Sequence, residues 1–285
     1  AHAQAGQNPE LRTLFFRLAH LFAKPVAVVF VEDGPDRPDM KRGVHVRKKQ
    51  HWLTKGMRAL VEGFGFEWIQ APGEAEAELA AMNQAGLIDT VMSDDGDTLV
   101  FGADVVIRKY VLVYRASAMQ EHAQVRMTRN SLILLAVLAG GDYDSGLKGC
   151  GVQTACGLAR YSLGDSLVES VTAADDSSSL RTSLSAWRDD LRRYLRDDPE
   201  KHVGRCNASL ADNVSDTFPA LDVVLAYIRP LTTSPDNIAL DYEFGRASKF
   251  NLAQLRDLCD RYFDWDKETL WKRFHKHVWP GVVLR

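Results

Sequence analysis

The sequence predicts an α/β fold: a mostly parallel central sheet, then a glycine turn between two helices, then a helical C-terminal appendage. Three observations carry this. Short β-branched runs alternate with helical-period segments over the first 140 residues, a Gly-x-Gly turn interrupts two helical segments near residue 150, and most of the chain beyond it has helical period. Taken in order, residues 10–22 space their apolar side chains as a helix, and Pro25–Val31 is the continuous apolar run of a strand covered on both faces. A polar, basic stretch over 36–50 leads into a helix over 52–63 and a strand over 64–69. Residues 71–86 open with Pro72, carry acids in the first turn and stop at Gly86, as a helix does. Strands are expected over 90–93 and 105–114, and a buried helix over 131–139. Helices follow over 152–161, 180–196 and 252–262, with a soft boundary near residue 140.

The 285 residues are 46% apolar and 26% charged, enough to bury a sizeable core. The longest apolar runs, 25–31 and 132–139, fall short of the roughly 18–20 residues of a membrane-spanning helix. Cys150, Cys156, Cys206 and Cys259 show neither CxxC pairing nor histidine partners at zinc spacing, so no disulfide framework or structural zinc is expected, and a reducing compartment is. Residues 1–5 lack the order of a secretory signal.

In an open parallel sheet, ligands gather beyond the carboxyl ends of the strands. Here those positions are acidic: Asp33 after the first strand, Glu74 and Glu76 after the second, Asp95 and Asp97 after the third, and Asp142 at the end of the buried helix. Any one of them alone reads as a turn or cap residue. Six carboxylates meeting in one crevice would repel and raise one another's pKa unless cations neutralised them, and all-oxygen ligands select Mg²⁺, Mn²⁺ or Ca²⁺ over zinc. Two such ions are the expected solution, and they suit phosphodiester hydrolysis. Regular helical spacing would pair Glu74 with Glu78; a non-helical backbone at Glu74 instead lets Glu74 and Glu76 share a site, leaving Glu78 on a solvated face.

The turn from Gly146 to Gly151 exposes backbone N–H groups that can cradle a phosphate, with Lys148 adding charge; the competing reading is a glycine-requiring helix corner. Five of the nine residues from Lys41 to Lys49 are basic, Arg42, Arg47 and Lys48 among them, and Arg188, Arg192, Arg193 and Arg196 share a helical face. The net charge of −3 becomes +3 once the six proposed ligands are set aside, leaving 32 acidic against 35 basic residues. Such segments attract the phosphate backbone without reading bases, so a partner recognised by shape is expected.

Together, Asp33-Gly34, the 71–77 segment around Glu74 and Glu76, Asp95-Gly96-Asp97 with Phe101-Gly102, and Gly141-Asp142-Tyr143 followed by Gly149 and Gly151 closely resemble the flap endonuclease superfamily of structure-specific nucleases. The resemblance covers roughly 10–165 and is nearest to the eukaryotic Holliday junction resolvase branch. It implies a PIN-like flap-nuclease core over 1–140, a helix-two-turn-helix duplex anchor over 141–165 and a helical appendage over 166–285. It further implies two Mg²⁺ ions on Asp33, Glu74, Glu76, Asp95, Asp97 and Asp142, with Mn²⁺ able to substitute. Lys41 is similar to the helical-arch lysine at the scissile phosphate, with Arg47 or Lys48 as the next arch cation, and the 146–151 turn resembles the family's helix-two-turn-helix, which implies that Lys148, Gly149 and Gly151 bind duplex backbone through a K⁺ ion. The family's N-terminal strand, with its own metal-binding Asp and wedge, has no counterpart before Ala1, and the branch's chromodomain would lie beyond Arg285. The expected substrates are four-way junctions and 5′ flaps, cut in the nucleus by a protein monomeric in solution and dimeric on a junction, with no membrane partner. Three alternatives stand beside this: a flap endonuclease without resolvase activity, a haloacid dehalogenase-type phosphatase using Asp95 and Asp97, and a junction-binding module without catalysis.

Overall fold

A computed structural model describes residues 7–46, 52–109, 112–174, 176–234 and 250–285. In chain order its elements are α1 (Pro9–Phe22), β1 (Val29–Glu32), β2 (Met40–Lys41), β3 (Val44–His45), α2 (Thr54–Gly63), β4 (Glu67–Gln70), α3 (Ala75–Gln84), β5 (Val91–Met92), α4 (Asp97–Val100), β6 (Val105–Arg108) and β7 (Leu112–Arg115). Helices follow: α5 (Ala116–Glu121), α6 (Arg129–Ala139), α7 (Val152–Ala159), α8 (Leu163–Thr172), α9 (Ser177–Asp197), α10 (Ala208–Asp212), α11 (Leu221–Ile228), α12 (Leu252–Phe263) and α13 (Lys267–Arg273). A π-helical turn (Phe274–Val278) leads into α14 (Trp279–Leu284). The chain divides into two compact units, one from residues 1–32, 47–70 and 240–285, the other from 33–46 and 71–239.

In the first unit, α1 starts with Pro9 in its first turn and buries Leu11, Phe15, Leu18, Ala19 and Phe22, the stripe that a 3.6-residue period places on one face. β1 pairs parallel with β4, Val29 opposite Glu67 and Glu32 opposite Gln70. The core is aromatic: Phe15, Phe22, Phe64 and Phe66 pack with Leu255, Cys259 and Phe263 of α12 and with Trp265, Phe274 and Val278. Residues 250–285, part of the appendage expected over 166–285, thus complete the core begun by α1.

The second unit is built round α6. Thr128 caps that helix, its Oγ1 accepting from the Ser131 N–H, and Ile133, Leu134, Val137 and Leu138 pack with Ala77, Ala80, Phe101, Leu158, Leu191 and Tyr227. β5 pairs parallel with β6, β6 pairs antiparallel with β7, and β2 and β3 form a hairpin.

Two expectations change. Among the described residues the mostly parallel sheet is three small pieces, of two, two and three strands. β5 lasts only two residues because the next backbone groups turn to local side chains: the Asp95 N–H donates to Ser93 Oγ at 3.0 Å and Asp94 Oδ1 accepts from the Lys109 N–H at 2.7 Å. The arginine face of α9 is mostly not a free cationic surface. Arg188 is buried and donates to the Phe218 carbonyl at 2.7 Å, while Arg192, Arg193 and Arg196 pair with Asp216, Asp190 and Asp212 at 2.9, 2.9 and 2.7 Å. All four cysteines are free thiols, and no described helix is long and apolar enough to cross a membrane.

Candidate active site

All the described site residues lie in the second unit. Its geometry begins at Gly34, where a Cβ would lie 2.0 Å from the Ala71 carbonyl oxygen and 2.2 Å from that of Pro72, so only glycine fits. The Gly34 N–H donates to the Gly73 carbonyl at 2.6 Å and the Asp36 N–H to the Pro72 carbonyl at 3.2 Å. This lacing holds residues 71–73 out of the helix expected from Pro72, which begins at Ala75 instead. It also delivers Asp33 to the start of α3, where Oδ1 accepts the Ala75 N–H at 3.0 Å and Oδ2 pairs with Arg37 at 2.7 Å. Asp33 therefore serves as a helix cap.

Glu74 is the N-cap residue of α3, its backbone extended at φ −85° and ψ 138°, whereas Glu76 lies in the first helical turn. Glu74 is buried, only 6% exposed. One oxygen, Oε1, pairs with the Lys41 ammonium; the other, Oε2, accepts from the Tyr143 hydroxyl. Lys41 Nζ also lies 3.2 Å from Asp142 Oδ2, so one cation bridges two acids. Asp142 Oδ1 in turn accepts from Arg42 Nε and Nη2 at 2.8 Å, and the Arg42 N–H donates to the Asp142 carbonyl at 2.7 Å. Lys41 and Arg42 sit on the β2–β3 hairpin, where the resemblance implied a helical arch. Arg42 and Gly43 have φ of 51° and 71°, both left-handed, as the tightest hairpin turns require.

The remaining acids are electrostatic neighbours. Asp95 Oδ1 accepts the Asp97 N–H at 2.9 Å across the turn into α4. Burial first, then the charges of Asp95 and Asp142, push the Asp97 carboxyl up to about 6, with Lys41 opposing. Burial likewise raises the Glu76 pKa, helped by Asp33 and Asp95 and opposed by its own helix amide and by Lys41. For Lys41, burial favours the neutral amine, but hydrogen bonds and charge from Glu74 and Asp142 outweigh it and the pKa rises. The convergence is thus of charge: among the described residues no three carboxylates form a ready-made metal cage, and the Lys41 ammonium lies where two of them meet. The donor set still fits a hard divalent cation, being all oxygen and mutually repulsive.

Several placements were not legible beforehand. Glu78, expected on a solvated face, is 0% exposed and accepts the Thr233 N–H at 2.9 Å, because the segment after α11 covers that side of α3. Tyr143, Tyr227 and Arg37 went unrecognised; the Gly141-Asp142-Tyr143 motif was the available signal for the first. Gly149 adopts φ +93° and, like Lys148 and Gly151, is exposed, with Gly151 capping α7 without a side chain that could occupy its first amides. Arg47 and Lys48 lie outside the described residues.

Residues 65–142, which hold Glu74, Glu76, Asp95, Asp97, Asp142 and the aromatic residues between them, match the family model of the XPG I-region. The chain is 27% identical over 309 residues to Single-strand DNA endonuclease 1 of Oryza sativa subsp. japonica, covering 96% of this chain and 46% of that protein. It spans about half the length of that relative. Among solved structures it superposes on the Holliday junction-resolving enzyme GEN1 in complex with product DNA and Mg²⁺ with a TM-score of 0.80 and 30% identity, over 99% of this chain and 68% of that one. A structure of the eukaryotic junction-resolving enzyme GEN-1 binding with potassium gives a TM-score of 0.82 at 29% identity, over 99% and 67% of the two chains. Likeness of this extent, with the acids gathered inside the matched region, makes the chain a member of the flap endonuclease superfamily, close to its Holliday junction-resolving members.

Proposed function

We propose that this chain is the nuclease region of a structure-specific DNA endonuclease that hydrolyses phosphodiesters in branched duplexes, nicking four-way junctions in pairs and cutting 5′ flaps. The observation that carries the reading is the crowding of Glu74, Glu76, Asp97 and Asp142 round one ammonium, with Asp95 acting on Glu76 and Asp97 and with Asp97 held protonated to about pH 6. These acids, with Asp33 beside Glu76, are the residues that would hold two Mg²⁺ ions, or Mn²⁺ in their place. Bound there, divalent cations supply water activation and stabilisation of the leaving oxygen. Lys41 stands among the acids and would pair with the phosphate being cut. Arg42, its side chain 77% exposed, reaches outward to a neighbouring phosphate, and Arg47 and Lys48 follow it in sequence.

The 146–151 turn supports a second contact with duplex. Lys148 and the amides around Gly149 and Gly151 would take a backbone phosphate, with K⁺ as the bridging ion, as a helix-two-turn-helix does. The functional division is then catalysis over 1–140, duplex anchoring over 141–165 and support over 166–285. Paired incisions require two copies on one junction, so the protein acts as a dimer there and is monomeric when free, and its site of action is the nucleus. A dehalogenase-type loop needs only Asp95 and Asp97; the influence of Glu74 on Asp97 and of Asp95 on Glu76 favours the nuclease.

The test uses Glu76→Ala and Asp97→Asn with a fixed four-way junction and a 5′ flap. Both variants are expected to lose Mg²⁺-dependent cleavage and keep junction binding; undiminished cutting by both removes the site assignment. With unaltered protein, symmetric paired nicks select junction resolution, and flap products alone select a flap endonuclease.

A further inference from the structure

Glu74 divides its two oxygens between different partners. Oε1 meets the Lys41 ammonium, which Asp142 shares, and Oε2 accepts from the Tyr143 hydroxyl. We propose that Tyr143 is a positioning residue for the cation site: its hydroxyl occupies Oε2, so that Glu74 presents Oε1 alone, beside Asp142. The proposal rests on the reading of Glu74 as a cation ligand and adds a residue to it.

The tyrosine is itself held. Its ring lies against Tyr227 with centroids 4.7 Å apart and planes at 51°, and Tyr227 lies 6.2 Å from Phe101. The Tyr227 hydroxyl reaches Gly141, where a Cβ would lie 2.3 Å from it. The Arg129 guanidinium fastens the end of α11 by donating to the Tyr227 carbonyl at 3.2 Å. One dipeptide, Asp142-Tyr143, therefore contributes an acid to Lys41 and fixes the other acid that Lys41 touches.

A glutamate swings about three side-chain bonds. With Oε2 bound to a rigid phenol that freedom is lost before a cation arrives, and the loss does not have to come out of binding. Outer partners of ligating groups typically change metal affinity or activity by about 10–100-fold. A merely structural tyrosine would instead show its effect in the metal-free protein.

The experiment is Tyr143→Phe, which keeps the ring against Tyr227 and removes only the hydroxyl, measured alone and in a Glu74→Gln background. The readouts are the thermal midpoint across a Mg²⁺ titration and the Mg²⁺ dependence of junction cleavage. For Y143F the Mg²⁺ concentration giving half the maximal thermal shift is expected to rise about 10-fold or more, with the Mg²⁺-free midpoint little changed and kcat largely regained at saturating Mg²⁺. In the Glu74→Gln background the same change should add nothing, since coupled residues are not additive. An unaltered Mg²⁺ response in Y143F, an undiminished effect in the Glu74→Gln background, or a loss confined to metal-free stability overturns the proposal. A Glu74→Gln protein with an unaltered Mg²⁺ response overturns the ligand reading itself, a different failure from a silent Y143F.

Discussion

Asp97 keeps its proton to about pH 6 because burial and the charges of Asp95 and Asp142 disfavour its anion. A carboxyl whose folded-state pKa exceeds its unfolded value lends stability at low pH and loses it as pH rises through the folded value. Without divalent ions the thermal midpoint is therefore expected to fall between about pH 4 and about pH 7, a loss on the order of 2 kcal/mol. Asp97→Asn should flatten that profile and added Mg²⁺ should reverse it; a midpoint that rises over the same interval contradicts the assignment. Gly34→Ala drives a methyl into two backbone carbonyls that cannot yield as a side chain would, and should cost roughly 2–4 kcal/mol in chemical denaturation. At this scale the acids were legible because each follows a strand or ends a helix. Glu78 was misread because its helix position says nothing of the distant segment at Thr233 that covers it. Tyr143 was missed because a hydroxyl's partner is set by tertiary approach.

Among the elements, α9 shows how charge composition misleads. Its arginines look like a DNA-binding face until their partners, Asp190 one turn away and Asp212 and Asp216 beyond the helix, are seen. Arg193→Ala and Arg196→Ala should leave junction affinity and its salt dependence unchanged. Lys148→Ala, at the exposed turn before α7, should lower the slope of log affinity against log salt by about 1. Equal slopes in all three variants would remove the anchor from that turn. Most of the helices expected from hydrophobic periodicity are present within a few residues, α3 excepted at its start, where hydrogen bonds from Gly34 and Asp36 take the carbonyls of Gly73 and Pro72. The β2–β3 hairpin was hidden inside a basic stretch; Arg42-Gly43, a pair able to take two left-handed conformations, was its one local sign.

At the scale of the molecule, a net charge of −3 conceals a site and a surface of opposite character. Neutralising the acids should help the chain approach a polyanion, so junction affinity in Ca²⁺ is expected to exceed that in EDTA by roughly tenfold at low salt; equal affinities would deny the acids that part. The two units were not legible at all, because each is stitched from separated stretches and periodicity sees only neighbours. One outcome concerns how the protein is made. The phenylalanines of α1 emerge from the ribosome more than two hundred residues ahead of Leu255, Cys259, Phe263 and Phe274, which cover them. During translation that greasy helix must wait, sheltered by chaperones or by makeshift contacts, until those covering residues arrive.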